Sequence, residues 1–302
     1  MANSQQVGEM LNVPVMRRRA IWAGMTSALR GVPIFPAAIL ALFIFFGLFG
    51  RLIVTYDPNV GALRDSLTPP FWQAGGSTKH LLGTDPLGRD MLSRIVVGAS
   101  TSLQVGFFVV IICGFIGSVF ALLSGYLGGW VDIVIMRLTD IVMSMPFLIV
   151  ALNVAAIVGP GKYNLILILG LMGWAGYARI LRGEVLRLKE SYFVRLAIVA
   201  GCSKPRIMVR HIFPNIANTL VILATLNLGV IIIAEASLSF LGLGIPPPTP
   251  AWGSMISDGR SYLGLAWWVS TFPGIALFLV VLSSNLLGDW LRVRLDPKFR
   301  QL

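Results

Sequence analysis

The sequence predicts an all-α integral membrane protein with six transmembrane helices. Of its 302 residues, 56% are hydrophobic and only 12% are charged, about half the charged fraction of an ordinary soluble domain. The charges also cluster in short stretches between long uncharged runs, which is the pattern of a membrane topology. So few charges cannot cover the surface of a soluble protein of this size. A soluble enzyme is therefore not expected.

The uncharged runs set the predicted helices, because a helix needs about 20 mostly apolar residues to cross a hydrocarbon core of about 30 Å. The second run is long, but Gly128 and Gly129 mark a turn at its end, and Pro146 is expected to kink the third helix. Four prolines between 246 and 250 exclude one more regular helix there. The predicted spans are 33–55, 102–124, 137–158, 163–181, 216–242 and 267–290.

The positive charges orient these spans. The chain has 24 Lys and Arg against 13 Asp and Glu. Seventeen of the Lys and Arg fall on the side that holds both termini, and six fall on the other side. The positive-inside rule therefore predicts cytoplasmic termini. The predicted organisation is a cytoplasmic arm at 1–32, an extracytoplasmic segment at 56–98, a five-helix core at 99–290 and a cytoplasmic tail at 291–302. The first 30 residues lack the apolar centre of a cleaved signal peptide.

No catalytic or metal-binding pattern is present in the sequence. The run from Gly159 to Tyr163 lacks the first glycine and the Ser or Thr of a phosphate loop. His80 and His211 are predicted on opposite sides of the membrane, so they cannot share a zinc site. We therefore expect no catalytic residue, no metal site and no cofactor bound by this chain itself.

A basic cytoplasmic segment between spans four and five holds the most informative pattern. Phe193, Leu196, Ala197 and Ala200 follow the i, i+3, i+4, i+7 spacing of an apolar helical stripe. Gly201 is placed to end this helix. Ser203 can cap the next helix, which leads into span five. Such a stripe suits a groove on a soluble partner. A helix lying on the membrane surface is an equal alternative from these residues alone.

This segment resembles the coupling motif of type I ABC importer permeases, in which a glycine is followed after twelve residues by a proline. Gly201 and Pro214 have that interval, and Ala197 matches the second alanine of the motif. Arg195 stands where the family has glutamate, and Leu196 stands where it has the first alanine. The resemblance implies that a region at about 192–206 docks on an ATPase subunit.

Four further motifs extend the resemblance along most of the chain. They are HLLGTDPLGRDMLSR at 80–94, GYLGGWVDIVIMRLTD at 125–140, ASLSFLGLGIPPPTPAWGSMI at 236–256 and NLLGDWLRVRLDP at 285–297. Together they resemble the second permease subunit of dipeptide, oligopeptide and nickel importers. The resemblance implies the type I importer permease fold and a bacterial cytoplasmic membrane. The implied partners are a second, homologous permease chain in a heterodimer, two ATPase subunits that bind ATP and Mg²⁺, and an extracytoplasmic substrate-binding protein.

The motif at 80–94 is expected at the extracytoplasmic mouth. Asp85 is placed to cap a helix beginning at Pro86. Asp85–Arg89 and Asp90–Arg94 would then be i, i+4 ion pairs on it. A structural role is favoured. The alternative is direct contact with the docking binding protein.

Four residues are candidates for a translocation pathway: Ser144, Met145, Asn227 and Glu235. An acid inside a membrane span is a functional candidate by default. Glu235 could also pair with a cation of the partner subunit or with a backbone amide. Methionines and proline kinks are more often packing features. Trp252, Trp267 and Trp268 are expected to be interfacial anchors.

Two other functions are alternatives to an importer subunit. A membrane-embedded hydrolase would need a nucleophile and a base at matching depth, and none is found. A passive channel would need no ATPase. Within the family that the chain resembles, peptides are the expected cargo, while nickel chelates, glutathione, opines and small oligosaccharides remain open. No nucleic-acid partner is expected.

Overall fold

The structure is a computed structural model that describes residues 32–295. All of its long secondary-structure elements are α-helices. Packing divides the chain into two units, Met1–Ile34 and Phe35–Leu302, and every contact discussed below lies within the second. The helices are α1 Ile34–Ile53, α2 Met91–Leu122, α3 Gly129–Ser144, α4 Phe147–Val158, α5 Lys162–Lys189, α6 Tyr192–Val199, α7 Lys204–Arg206, α8 Phe213–Phe240, α9 Trp252–Gly259 and α10 Trp268–Leu295.

Five of these helical segments are long and apolar enough to cross a membrane, and α3 with α4 makes a sixth if the bent pair counts as one span. The predicted bounds of α1, α5 and α10 agree with the structure at their N-terminal ends. Three predicted starts are wrong. α2 begins at Met91 rather than at 102, and α3 begins at Gly129 rather than at 137. The helix that becomes α8 is continuous from Lys204, through a π-helical stretch at Ile207–Ile212. The predicted arm and tail fall largely outside the described residues.

The predicted kink in the third span is a complete break. α3 and α4 meet at 87°. Met145 has extended backbone angles (φ −92°, ψ 137°) and Pro146 occupies the N-cap position of α4. A proline disfavours helical angles in the residue before it, so α3 must end there.

The largest core lies between α2, α5 and α8. Small residues allow α2 and α5 to approach closely, as is usual where helices pack within a membrane. A Cβ atom added at Gly117 of α2 would collide with the Cβ of Tyr177 on α5. α2 ends as predicted near the glycines, since Gly128 and Gly129 have φ of 69° and 56°.

The segment between α1 and α2 folds into its own small structure instead of a loose loop. A backbone bridge joins Thr84 to Asp90. The indole nitrogens of Trp268 and Trp252 donate hydrogen bonds to the carbonyl oxygens of Thr84 (3.1 Å) and Ile95 (3.0 Å). Both tryptophans are buried. The expectation that these two rings are interfacial anchors is therefore wrong, because each ring packs in the interior and its N–H is satisfied by protein.

Candidate functional site

The candidate coupling helix is α6, and Gly201 ends it as the sequence predicts. Gly201 has φ of 76°, a left-handed angle that a Cβ atom disfavours. Its N–H donates to Ile198 O (3.0 Å), and the N–H of Cys202 donates to Ala197 O (3.0 Å). These two bonds make a Schellman motif, which satisfies the last carbonyls of the helix. The turn then leads to Ser203, the N-cap of α7, whose side chain makes no capping bond.

One residue of the predicted apolar stripe of α6 lies on the buried face of the helix instead of the exposed face. Val194 and Ala197 are buried and belong to the same apolar cluster as Val185 of α5. Phe193 and Leu196 are 40% and 50% exposed. The prediction that Ala197 lies on the exposed stripe is therefore wrong. Its face is the one that holds α6 against its own chain.

The exposed surface of α6 is apolar with basic neighbours. Phe193, Leu196 and Ala200 all lie on it. Arg195 is exposed as well, and its guanidinium pairs with Glu190 at 2.7 Å. Lys204 and Arg206 follow immediately in α7, while Pro214 lies in the first turn of α8. The segment thus presents an apolar patch beside positive charge.

A second candidate site is a cavity of about 300 Å³ beside the break between α3 and α4. It brings together two of the four predicted pathway residues, Met145 and Asn227. Its other lining residues include Met143, Phe147, Met172, Tyr177 and Cys113. Among residues 32–295, no Asp, Glu, Lys, Arg or His side chain lines it. The surface is flexible and polarizable, because thioether side chains adapt to irregular shapes.

The other two predicted pathway residues do not line this cavity. The Ser144 hydroxyl donates back to Ile141 O at 2.7 Å. Glu235 is fully buried and accepts hydrogen bonds from Ser102 (3.1 Å) and Ser239 (2.8 Å). Ser239 Oγ in turn accepts from the N–H of Ile245. The acid therefore ties α2 to the end of α8 and the loop after it.

The charges of the motif at 80–94 are buried together, and their local structure differs from the prediction. Asp85 begins a turn rather than a helix, because its Oδ1 accepts from the N–H groups of Leu87 and Arg89, both at 2.9 Å. The helix begins after Asp90, whose Oδ2 accepts from Ser93 N–H at 2.8 Å. The predicted cap at Asp85 is therefore wrong by five residues. Asx turns and N-caps compete for the same side chains, which is why the pattern misleads.

The ion pairs of this motif are rearranged accordingly. Asp85 pairs with Arg89 at 2.6 Å as predicted, and with Arg94 at 3.6 Å. Asp90 pairs with His80 Nδ1 at 3.0 Å instead of with Arg94. All five side chains are at least 89% buried. Burial raises the pKa of the nearby Asp258 carboxyl, although Arg94 and Arg89 oppose that rise. Since the charges of Asp85, Arg89 and Asp90 are enclosed, they cannot meet a docking protein directly in this conformation.

Two ion pairs between α3 and α5 were missed from the sequence. Asp132 receives two hydrogen bonds from Arg182, both 2.6 Å, and Asp140 pairs with Arg179. Asp132, Arg137 and Asp140 lie close together in the sequence, which predicts local pairing among them; that prediction of the partners is wrong, because both acids pair with arginines of α5. The spacing of 50 and 39 residues hides these pairs. They fasten α3 to α5. Within the described residues, no three His, Cys, Asp or Glu side chains group as a metal site requires.

Comparison with known families matches residues 115–301, more than half of the chain, to the family described as "binding-protein-dependent transport system inner membrane component". The chain belongs to this family. The matched residues run from α2 through the tail and include α6, the broken span and the cavity beside it.

Individual relatives of this permease cover nearly its whole length. The di/tripeptide transport system permease protein of Pseudomonas aeruginosa (strain UCBPP-PA14) is 40% identical over 259 residues, 86% of each chain. The probable D,D-dipeptide transport system permease protein of Escherichia coli (strain K12) is 37% identical over 287 residues, 94% of each chain. The glutathione transport system permease protein of Escherichia coli O157:H7 is 41% identical over 264 residues, 87% of this chain and 86% of the relative.

These matches confirm the resemblance stated from the motifs. The chain is an ABC transporter permease in the inner membrane and not itself an enzyme. Its family works with a binding protein.

Proposed function

We propose that this permease is one half of a heterodimeric pore in an ATP-driven importer of short peptides. The other half is a second, homologous permease chain. Two ATPase subunits bind ATP and Mg²⁺ on the cytoplasmic side, and a binding protein delivers the peptide from outside. The broken pair α3–α4 counts as one span in this arrangement, which makes six spans and places both termini in the cytoplasm.

One observation carries the ATPase assignment: α6 exposes Phe193, Leu196 and Ala200 while its opposite face is buried in its own chain. An exposed apolar patch rimmed by polar residues is typical of a protein-binding surface. Gly201 holds the patch at a fixed angle through the Schellman turn. Docking on an ATPase subunit accounts for both features. A helix lying on the membrane surface would also bury the patch, so the partner must be tested.

Transport follows from mechanical coupling at α6. Val194 and Ala197 belong to the apolar cluster that also contains Leu181 and Val185 of α5. A push from the ATPase on α6 is therefore delivered to α5, and α5 is tied to α3 through Asp132–Arg182. Alternating access is such a rigid-body movement of packed helices around a central site. The cavity beside the α3–α4 break lies next to both linked helices.

The volume of this cavity and the names of the relatives both support short peptides as the cargo. The three relatives are named for di- and tripeptides, D,D-dipeptides and glutathione, and all of these cargoes are small peptides. Ligand cavities run from about 300 to 1,000 Å³, so about 300 Å³ suits a small cargo. An uncharged, methionine-rich lining contacts peptide side chains without selecting one charge. Nickel chelates, opines and oligosaccharides are alternative cargoes.

Co-purification tests the proposed assembly. We expect the tagged chain, extracted from its native membrane, to bring a second permease chain and two ATPase subunits in fixed stoichiometry. Leu63→Asp with Val60→Asp is a control that adds two charges at exposed extracytoplasmic positions and is expected to keep the same partners. A chain that purifies alone would contradict the proposal and favour a passive channel.

Cysteine labelling tests the pathway. After Cys113 and Cys202 are replaced by alanine, we expect Met145→Cys and Asn227→Cys in the assembled transporter to react with a small polar thiol reagent. Both positions line the cavity. Ala155→Cys is the matched control, because Ala155 on α4 is fully buried. If Met145→Cys reacts no faster than Ala155→Cys, the cavity is not part of a hydrated pathway.

A further inference from the structure

The chain leaves α1 between two cavities of different character. One has a volume of about 320 Å³ and is mostly polar, with Arg51, Thr55, Asp57 and Asn59 in its wall. The other, about 370 Å³, is mostly apolar and is lined by Phe46, Ile53, Leu92 and Val96, with Lys79 and Asp90 also among its lining residues. Val54, Thr55 and Tyr56 belong to the walls of both. A polar cavity and an apolar cavity that share one wall suit an amphiphilic ligand, which has a polar head and an apolar tail.

The polar cavity contains a cation and an anion that do not pair with each other. Within residues 32–295, neither Arg51 nor Asp57 has an ion pair within 4.0 Å. Asp57 Oδ1 accepts from Asn59 N–H at 2.8 Å, which leaves its Oδ2 available. Opposite charges that line one cavity without touching suit a ligand that carries both charges.

The setting of Arg51 places this ligand at a membrane surface. Arg51 lies in the last turn of α1. Leu48 and Leu52 of the same helix are 65% and 83% exposed, so this face of α1 meets hydrocarbon if the helix crosses the membrane. An arginine at the end of such a helix reaches the depth of the lipid headgroups.

We propose that the two cavities bind a phosphatidylethanolamine-type lipid. Its phosphate accepts hydrogen bonds from the Arg51 guanidinium, its primary ammonium donates to Asp57, and an acyl chain enters the apolar cavity. Asp57 gives the site its selectivity. Phosphatidylglycerol has no cation to meet it, and the trimethylammonium of phosphatidylcholine has no N–H to donate. The proposal rests on α1 crossing the membrane and not on the transported cargo.

Native mass spectrometry of the intact transporter tests the proposal, with phosphatidylethanolamine, phosphatidylcholine and phosphatidylglycerol of matched acyl chains added in turn. We expect phosphatidylethanolamine to bind about threefold to tenfold more tightly than either of the others, as one charge-assisted hydrogen bond at a partly exposed site allows. R51A should lower its affinity by a similar factor. D57N should lower the affinity for phosphatidylethanolamine and leave that for phosphatidylglycerol unchanged or higher.

Arg64 and Asp65 supply matched controls. They pair with each other at 3.6 Å in the same extracytoplasmic segment and line neither cavity. R64A and D65N should therefore leave lipid binding unchanged. The same spectra report whether each variant is assembled. If R51A does not assemble, D57N and the charge-retaining R51K decide, with R51K expected to keep part of the binding.

Three results would overturn the proposal. Equal binding of all three lipids would remove the role of Asp57, and equal behaviour of R51A and R64A would remove the role of Arg51. Displacement of bound phosphatidylethanolamine by the free dipeptide glycylglycine, which carries the same two charges, would show a peptide site instead of a lipid site. No displacement by the dipeptide is the expected result.

Discussion

Replacing Leu196 and Ala200 together by aspartate is expected to abolish transport and detach the ATPase subunits. Leu196 is half exposed and Ala200 is exposed, so the folded permease tolerates both charges. At a docked apolar interface each charge would be buried without a partner, which costs about 2–5 kcal/mol. A loss of 2 kcal/mol alone weakens binding about 30-fold. Co-purification of ATPase subunits and uptake of peptide into proteoliposomes measure the two effects.

The double variant Leu63→Asp with Val60→Asp is the control for this change. Leu63 and Val60 are 75% and 68% exposed, and replacing them adds the same two charges at positions outside α6. The control should keep both ATPase association and uptake. If Leu196→Asp with Ala200→Asp behaves like the control, α6 is not the coupling helix, and the membrane-surface alternative is favoured.

Asp85→Ala is expected to be the most destabilising single change in the segment between α1 and α2. It leaves Arg89 and Arg94 buried without their carboxylate and removes the acceptor for two backbone N–H groups. Removing one partner of a buried ion pair costs about 3–5 kcal/mol. The free energy of unfolding, measured by denaturant titration in mixed micelles, should fall by that amount. Asp85→Asn should show most of the same loss, because it keeps the shape but not the charge.

Asp65→Ala provides the comparison on the same segment. Asp65 pairs with Arg64 at 3.6 Å, but the two side chains are 38% and 85% exposed. Exposed pairs contribute about 0–1 kcal/mol. The account therefore predicts a clear separation between the two variants. Equal losses for Asp85→Ala and Asp65→Ala would mean that the Asp85–Arg89–Arg94 group is solvated and does not hold the segment together.

The sequence predicted the parts of this fold that depend on local chemistry. Uncharged runs place α1, α5 and α10 because hydrocarbon depth fixes helix length. Gly201 ends α6 because few other residues adopt its left-handed angle. A kink at Pro146 was predicted for a similar reason, although the complete break and its 87° angle were not.

The incorrect predictions concern residues whose environment is set by contacts with residues distant in the sequence. Ala197 satisfied the spacing of an exposed stripe, yet it packs inward, because an eight-residue helix has too few residues to show which face its own chain covers. Asp85 had the pattern of an N-cap, yet its carboxylate pairs with Arg94 and accepts from Leu87 N–H in a turn. The helix therefore begins later, and Asp90 is its N-cap. Trp252 and Trp268 were predicted to be interfacial, but their indole N–H groups donate to the carbonyl oxygens of Ile95 and Thr84 inside the protein.

The candidate pathway residues show the same difference between features set by local sequence and features set by distant contacts. Met145 and Asn227 could be named as candidates from the sequence, Met145 because it precedes the predicted kink at Pro146, and the structure brings both to one cavity. Glu235 could be named as unusual, but its serine partners are 133 residues away and four residues away, and only the nearer one could be guessed. The pairs between α3 and α5 needed the fold itself.

The most direct test of the account is the ATPase activity of the complete transporter in lipid, with and without its binding protein. We expect hydrolysis to rise when the peptide-loaded binding protein is added, and the ligand that gives the rise identifies the cargo. Hydrolysis that stays the same with every loaded binding protein, or a permease that conducts peptides with no ATPase subunit attached, would contradict an importer driven through α6.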